Sequence, residues 1–325
     1  MKNTAYRVNV RKLMILAGLV VLSVVAYMVI DVNFSNPKYF RFAMSLRTPR
    51  LLAMLIAAFA IGGASIVFQS VINNTIVTPC LLGMNALYTL IHTLVFFVFG
   101  STSVLATNSN LAFAVDLVIM AAAAAFIYGY LFRKTNYNVL YVLLIGTVLS
   151  SFFGSIQSTM VRVMDPNEYD ALLLELVAGF DHVNSEIIAL CVVILALLVF
   201  ALRKELALLD VVTLGKDQAV NLGVDYDQCI RKLLIGVTVC IAVATAMVGP
   251  ISFLGLILAN VARQLLRTYR HTHLILGAAM IGMMVLVAGQ CLVEHVFAYA
   301  VPVSVFITIG GGVYFLYLLL RQKKG

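Results

Sequence analysis

Apolar runs recur ten times along this chain of 325 residues, most of them close to the roughly 20 residues a helix needs to cross the hydrocarbon layer of a bilayer. They are Leu13 to Ile30, Leu51 to Ile72, Leu81 to Phe99, Leu111 to Phe132 and Val139 to Val161 in the first half. Ile187 to Leu202, Leu233 to Val248, Ile251 to Val261, Leu274 to Val293 and Val303 to Leu320 follow in the second. The seventh and eighth are divided by little more than Gly249-Pro250, which breaks a helix because proline lacks a donor and clashes with the turn before it. Composition agrees: 62% of residues are hydrophobic, 11% are charged and the mean hydropathy is +1.03, far from a soluble domain. The expectation is an all-α, polytopic membrane protein forming a single transmembrane domain over residues 1–325.

The N-terminus has a basic start and an apolar stretch, like a secretory signal. That stretch is too long and lacks a small-x-small cleavage site, so it reads as a membrane span. With ten spans and both termini inside, all but Lys38, Arg41, Arg47, Arg50 and Arg162 of the 22 basic residues fall on inner segments. The positive-inside rule favours that orientation over its inverse. The net charge of +8 is thus a topology signal, not a nucleic-acid footprint. The five cysteines, Cys80, Cys191, Cys229, Cys240 and Cys291, are scattered, with no CxxC and no Cys/His cluster, so they read as buried small apolar residues and no metal ligands are assigned.

Three function classes suit such a chain: a subunit of an energised transporter, a self-sufficient ion-coupled carrier or channel, and a membrane-embedded enzyme. A carrier buries acidic or histidine relays within its spans. Here Asp116 and His92 stand singly and read as hydrogen-bonded structural polars, while Glu294 and His295 lie at an outer end. HExxH and GxSxG are absent, so no catalytic residue is assigned, and no GxxxxGK loop exists to hold ATP. An energy source, if ATP, has to sit on another subunit.

The inner loop from Arg203 to Lys232 carries LGKDQAVNLGV, a polar island from Leu214 to Val224. Gly215 can open and Gly223 can close a two-turn helix over 216–222, with Ala219 and Leu222 on one face. A helix that short is marginal alone and needs a surface to rest on, either the protein's own loops or a partner.

Five stretches then carry a resemblance: LRTPRLLAMLIAAFAIGGASIVFQSVINN, TPCLLGMNALY, LGKDQAVNLGV, RKLLIGVTVCIAVATAMVGPISFLGLILANVARQL and VPVSVFITIGGGVYFLYLLL. In order and spacing, over about residues 45–321, the chain resembles the permease family of ABC importers for ferric siderophores, haem and vitamin B12. The resemblance implies a ten-span fold of the vitamin B12-importer type, a second permease subunit, two cytoplasmic ATPase subunits and an extracytoplasmic binding protein that delivers the iron chelate. It implies that Leu214, Gly215, Ala219, Leu222 and Gly223 belong to the element seated on the ATPase. It further implies that Arg47 and Arg50 ion-pair with acidic residues of the binding protein. The residues themselves leave a second account of those arginines, anchoring of the second span at the headgroup level.

The chain departs from the family's common pattern in places. Ala259-Asn260 replaces a Pro-His pair, and Gln290 with Glu294-His295 stands where an acid and then an arginine are usual. NNxxxTP, LGMNALY, FDHVN and GPISFLGLILAN resemble one branch, the second permease of catecholate-type siderophore importers, which implies a heterodimer. Met84, Asn85, Gln157 and Asn260 are the candidates for pathway lining. The small-residue runs Ala57 to Ser65 and Gly310 to Gly312 suit close helix packing or a wide lumen equally. The outer loop from Asp165 to Glu186 is acidic and holds an amphipathic stretch, ALLLELVAGF. No cofactor is expected. Permeases for haem or vitamin B12, and an ion-coupled secondary transporter, are the alternatives.

Overall fold

The computed structural model describes residues 2–32, 35–126, 130, 134, 139–180, 183 and 185–322, and no strand occurs among them. The first half comprises α1 (Lys2–Val29), α2 (Pro37–Ile72), a 3-10 turn (Pro79–Leu82), α3 (Met84–Phe99), a short α4 (Val104–Thr107) and α5 (Ser109–Phe126). After these come α6 (Val139–Val163), α7 (Pro166–Leu176), α8 (Ser185–Ala201), α9 (Arg203–Val212), α10 (Lys216–Asn221), α11 (Tyr226–Val248), α12 (Leu254–Leu266), α13 (His271–His295) and α14 (Val303–Gln322). The expected end of the fourth run at Phe132, the neighbouring Arg133, the residues Asp181, His182 and Asn184 of the FDHVN stretch, and Lys323 and Lys324 lie outside the described residues.

Among the described residues every expected apolar run falls on a helix, but the helices differ in length. Seven of the described helices are long and apolar enough to cross a bilayer, and the pair α8 and α9, bent by 56° at Leu202, adds an eighth if counted as one span. The remaining two runs fall on the shorter helices α3, with 16 residues, and α12, with 13. The second run begins earlier than its apolar stretch suggests. Asn36 caps α2 by accepting from the Lys38 N–H, Pro37 occupies the first turn, and the helix continues through Pro49.

The centre of the bundle is α2, which packs chiefly on α13, then on α11 and α12. Its small residues are what allow this. Ala57, Ala58, Ala60, Gly62, Ala64 and Ser65 are buried, and a methyl on Gly62 would lie 3.1 Å from the carbonyl of Ala278 on α13. Between apolar helices in lipid no hydrophobic force favours one contact over another, so close van der Waals approach decides the packing. The run from Ala57 to Ser65 is thus a packing surface. Gly311 is likewise pressed on Phe253, whereas Gly310 and Gly312 face open space.

The break after α11 is built from strained backbone. Gly249 has φ +80°, and a Cβ there would come within 2.8 Å of the Ala178 backbone. Phe253 enters α12 with φ +62°. Helices α1, α6 and α14 keep broad apolar faces turned outward, as expected of surfaces covered by lipid or by other subunits.

Candidate functional site

At one end of the bundle, α9, α10 and the start of α11 form the loop that the sequence marks as polar. Gly215, at φ +104°, enters α10. Gly223, at φ +82°, closes it: the Gly223 N–H donates to the Val220 carbonyl at 2.9 Å and the Val224 N–H to the Ala219 carbonyl at 3.0 Å. These two bonds are the paired closure that a left-handed residue just past a helix end permits. The loop is tied to the bundle by ion pairs, Lys216 to Asp227 at 2.9 Å and Lys232 to Glu205 at 2.7 Å. A further tie comes from Asp210, which accepts from the His271 backbone N–H at 2.9 Å and meets the His271 ring at 2.5 Å.

The expected contact face of α10 divides. Ala219 is fully buried, whereas Leu222 is 64% exposed and, with Leu214 and Val220, points outward. The pair Ala219 and Leu222 therefore does not form one surface for a partner. Ala219 seats the helix on its own chain, because six residues carry too few hydrogen bonds to stand without that packing. Leu214, Val220 and Leu222 are the apolar side chains left for another surface.

The opposite end holds Arg47 and Arg50, 14% and 20% exposed at their side chains and turned toward the same buried carboxylate. Arg47 donates through Nη1 to the carbonyls of Tyr27 and Ile30, at 2.8 and 2.7 Å, and lies 3.9 Å from Glu294. Arg50 lies 3.8 Å from Glu294 and donates to the Tyr299 hydroxyl at 3.3 Å. Glu294 also accepts from the Tyr27 hydroxyl at 3.0 Å and the Gln290 amide at 3.1 Å. The two arginines thus join α1, α2, α13 and the following loop, and Arg47 satisfies carbonyls that the end of α1 leaves without a helical donor. Neighbouring His295 faces Asp31 at 3.3 Å.

The four pathway candidates separate. Met84 is fully buried at the start of α3. Asn260 is also buried, and its amide donates to the Thr75 carbonyl at 2.8 Å and to the Leu256 carbonyl at 3.0 Å. Gln69 donates to the same Thr75 carbonyl at 2.8 Å, so Asn260 and Gln69 together hold the loop after α2. Both Met84 and Asn260 are therefore enclosed by their own chain: a loop carbonyl folded against apolar helices needs a donor, and Asn260 is one. Asn85 is partly exposed on the first turn of α3, and Gln157 lies partly exposed on α6.

Alongside Gln157 the structure shows residues that the candidate set lacks. Thr147, Ser151, Ser155 and Thr159 recur every four residues on α6, all exposed. Their hydroxyls donate to carbonyls three or four residues back, at 2.8, 3.0, 2.8 and 2.9 Å, leaving only oxygen lone pairs outward. The spacing in SSFFGSIQST was the available signal. Asp116 and His92, read as separate polars, meet at 2.8 Å between α3 and α5, both buried, with the Tyr88 ring 4.3 Å from that of His92. No group of three or more potential metal ligands occurs among the described residues.

Comparison with known proteins adds a family. The FecCD transport family profile matches residues 10–321. The petrobactin import system permease YclO of Bacillus subtilis is 36% identical over 316 residues, spanning 97% of this chain and 99% of the relative. The petrobactin import permease FatC of Bacillus anthracis is 32% identical over 280 residues, 85% and 78% of the two chains. The hemin transport permease HmuU of Yersinia pestis is 25% identical over 293 residues, 89% and 86%. A solved metal-chelate type ABC transporter in an inward-facing conformation superposes with a TM-score of 0.83 at 21% identity, covering 96% of this chain and 99% of that one, so the fold is shared. With nearly the whole helical bundle inside the matched region, the chain is an integral membrane protein that belongs to the FecCD transport family.

Proposed function

We propose that this chain is a ten-span, non-catalytic permease subunit of an ATP-driven importer that passes a ferric siderophore, of the catecholate type, across the cytoplasmic membrane. The observation that carries the reading is the near full-length similarity to a petrobactin import permease, 97% of this chain against 99% of that one. The shorter helices α3 and α12 and the bent pair supply the three crossings beyond the seven long helices, and both termini are cytoplasmic. Two separate ATPase subunits press on the loop at α10 through Leu214, Val220 and Leu222, while Gly215, Gly223 and Ala219 fix its shape. A different permease subunit faces α6, whose hydroxyl-bearing side, with Gln157, forms a wall of weak acceptors that a large chelate slides past. The binding protein docks from outside, and Arg47 and Arg50 exchange Glu294 for its carboxylates.

A growth assay tests this. Cells lacking the gene are fed defined ferric catecholates, ferric hydroxamates, haemin or vitamin B12 under iron or cobalamin limitation. Loss of rescue by a ferric catecholate alone is the expected result. Loss confined to haemin or vitamin B12 replaces the substrate, and uptake that survives a lysine substitution in the partner ATPase while collapsing with the proton gradient overturns the ATP-driven reading.

A further inference from the structure

A cavity of about 190 Å3 opens where α1 meets the turn between α12 and α13. Its walls include Tyr6, Asn9, Arg267, Thr268, Arg270 and His273, and no carboxylate lines it. Neither Arg267 nor Arg270 has an ion-pair partner among the described residues. The carboxylate on the adjoining α9, Asp210, is already bonded to the N–H and ring of His271. Both side chains are exposed, so the two guanidinium groups stand together at the cavity mouth with no carboxylate between them.

The remaining walls are arranged as though a polar group completed them. Asn9 is only 9% exposed, yet its side-chain amide makes no hydrogen bond among the described residues. The Nδ1 of His273 is buried without a partner. Buried polar atoms are nearly always satisfied, so this nitrogen points to an absent bonding group, while the Asn9 amide, still reached by solvent, has no partner among the described residues to give up. Tyr6 organises the cationic wall: its ring lies 5.4 Å from the Arg270 guanidinium and meets the His273 ring edge-on at 5.6 Å. Thr268 accepts from the Arg270 backbone N–H at 3.2 Å, which fixes the turn.

From these observations we infer that the cavity binds a phosphate group, and that its source is the headgroup of an anionic phospholipid. A phosphate supplies several acceptor oxygens, which suit two forked guanidinium groups and the amide of Asn9. The headgroup is favoured over free phosphate by position. Arg267 closes α12, Arg270 precedes the first turn of α13, and Tyr6 and Tyr269 are exposed beside them, as aromatic side chains are at a membrane interface. A headgroup held there pins α1 to the α12–α13 turn, one side chain away from the Asp210–His271 tie to the coupling loop.

The test uses the full-length chain in a neutral detergent, titrated with short-chain phosphatidylglycerol and, separately, with inorganic phosphate. Binding is read by native mass spectrometry and by the rise in melting temperature. Saturable binding of phosphatidylglycerol is expected, weakened roughly 30-fold in R267Q/R270Q. Asn9→Leu, which keeps the side chain's size, weakens it as well, while Arg162→Gln on α6 changes nothing. Inorganic phosphate binding as tightly, with the same arginine dependence, keeps the phosphate site and overturns the headgroup as its source. Equal phosphatidylglycerol affinity in wild type and in both the double variant and Asn9→Leu, or no saturable binding at all, overturns the site.

Discussion

Arg47 shows how one side chain can hold several tasks. It donates to two carbonyls at the end of α1, packs 5.5 Å from the Tyr27 ring and neighbours Glu294. Charge-assisted hydrogen bonds contribute about 1.5–3 kcal/mol each, so Arg47→Ala is expected to lower the melting midpoint in detergent by several degrees. Arg47→Lys is expected not to restore it, because one ammonium cannot reach both carbonyls and the carboxylate. A melting curve equal to wild type for Arg47→Ala would show that the clamp adds nothing. Glu294 bears on the docking proposal. If the arginines have to exchange it for the binding protein's acids, Glu294→Gln tightens docking several-fold and R47E/R50E abolishes it, as measured by equilibrium binding of the purified binding protein. Docking that ignores all three changes removes Arg47 and Arg50 from that interface. The charge bias of the sequence leads to the expectation of an outer end for these arginines, but their shared carboxylate lies more than two hundred residues away, and no spacing rule connects the two.

At the level of the element, α10 and α2 illustrate opposite uses of small residues. In α10 the glycines at both ends were legible, because positive φ beside a short polar helix is a local demand. The direction of Ala219 was not, since helical spacing groups Ala219 with Leu222 but cannot say which faces the protein. Ala219→Glu buries a charge and is expected to lower both the melting midpoint and transport-coupled ATP hydrolysis. Leu222→Asp on the exposed side is expected to keep the melting midpoint and lose only the coupling. Leu222→Asp with full coupling in proteoliposomes would place the ATPase contact elsewhere. In α2, neighbouring glycines differ. A Cβ on Gly62 meets backbone of α13 at 3.1 Å, which cannot retreat, whereas one on Gly63 meets only the Ile275 side chain at 3.5 Å. Gly62→Val is therefore expected to cost about 1–3 kcal/mol or more and to reduce folded yield sharply, while Gly63→Ala is tolerated. Size-exclusion profiles of the two variants decide between this and a lumen-lining role for α2.

For the whole molecule, the expected ten crossings meet seven long helices, one bent pair and two short helices. The shortfall has a physical origin. The run at 81–99 spends its first turn on a 3-10 segment, and the run at 251–261 starts only after the Gly249-Pro250 break and a left-handed Phe253. Ten crossings with both termini cytoplasmic predict that reporter fusions after residues 12 and 322 both report the cytoplasm. They also predict that the loop at 165–176 is labelled from outside, where Asp165 caps α7 and Glu168 binds Ser101. Termini on opposite sides would require an odd number of crossings and would remove one of the short helices from the bilayer.

The sequence by itself determined the solvent and the element type. Long apolar runs dictate helices in lipid whatever their neighbours, and the glycine and proline breaks act through local backbone geometry. The separation of α10 from the apolar runs and the packing potential of the alanine and glycine runs were legible for the same reason. Only the tertiary structure decided which polar side chains serve the fold and which remain available. Asn260 is taken by the Thr75 carbonyl, Asp116 by His92, and Arg47 and Arg50 by the cluster at Glu294. The hydroxyls of α6 stay outward. The physical reason is that a polar atom in an apolar bundle is committed by whichever partner folding brings within hydrogen-bond reach, and that partner is set by helix packing between distant segments.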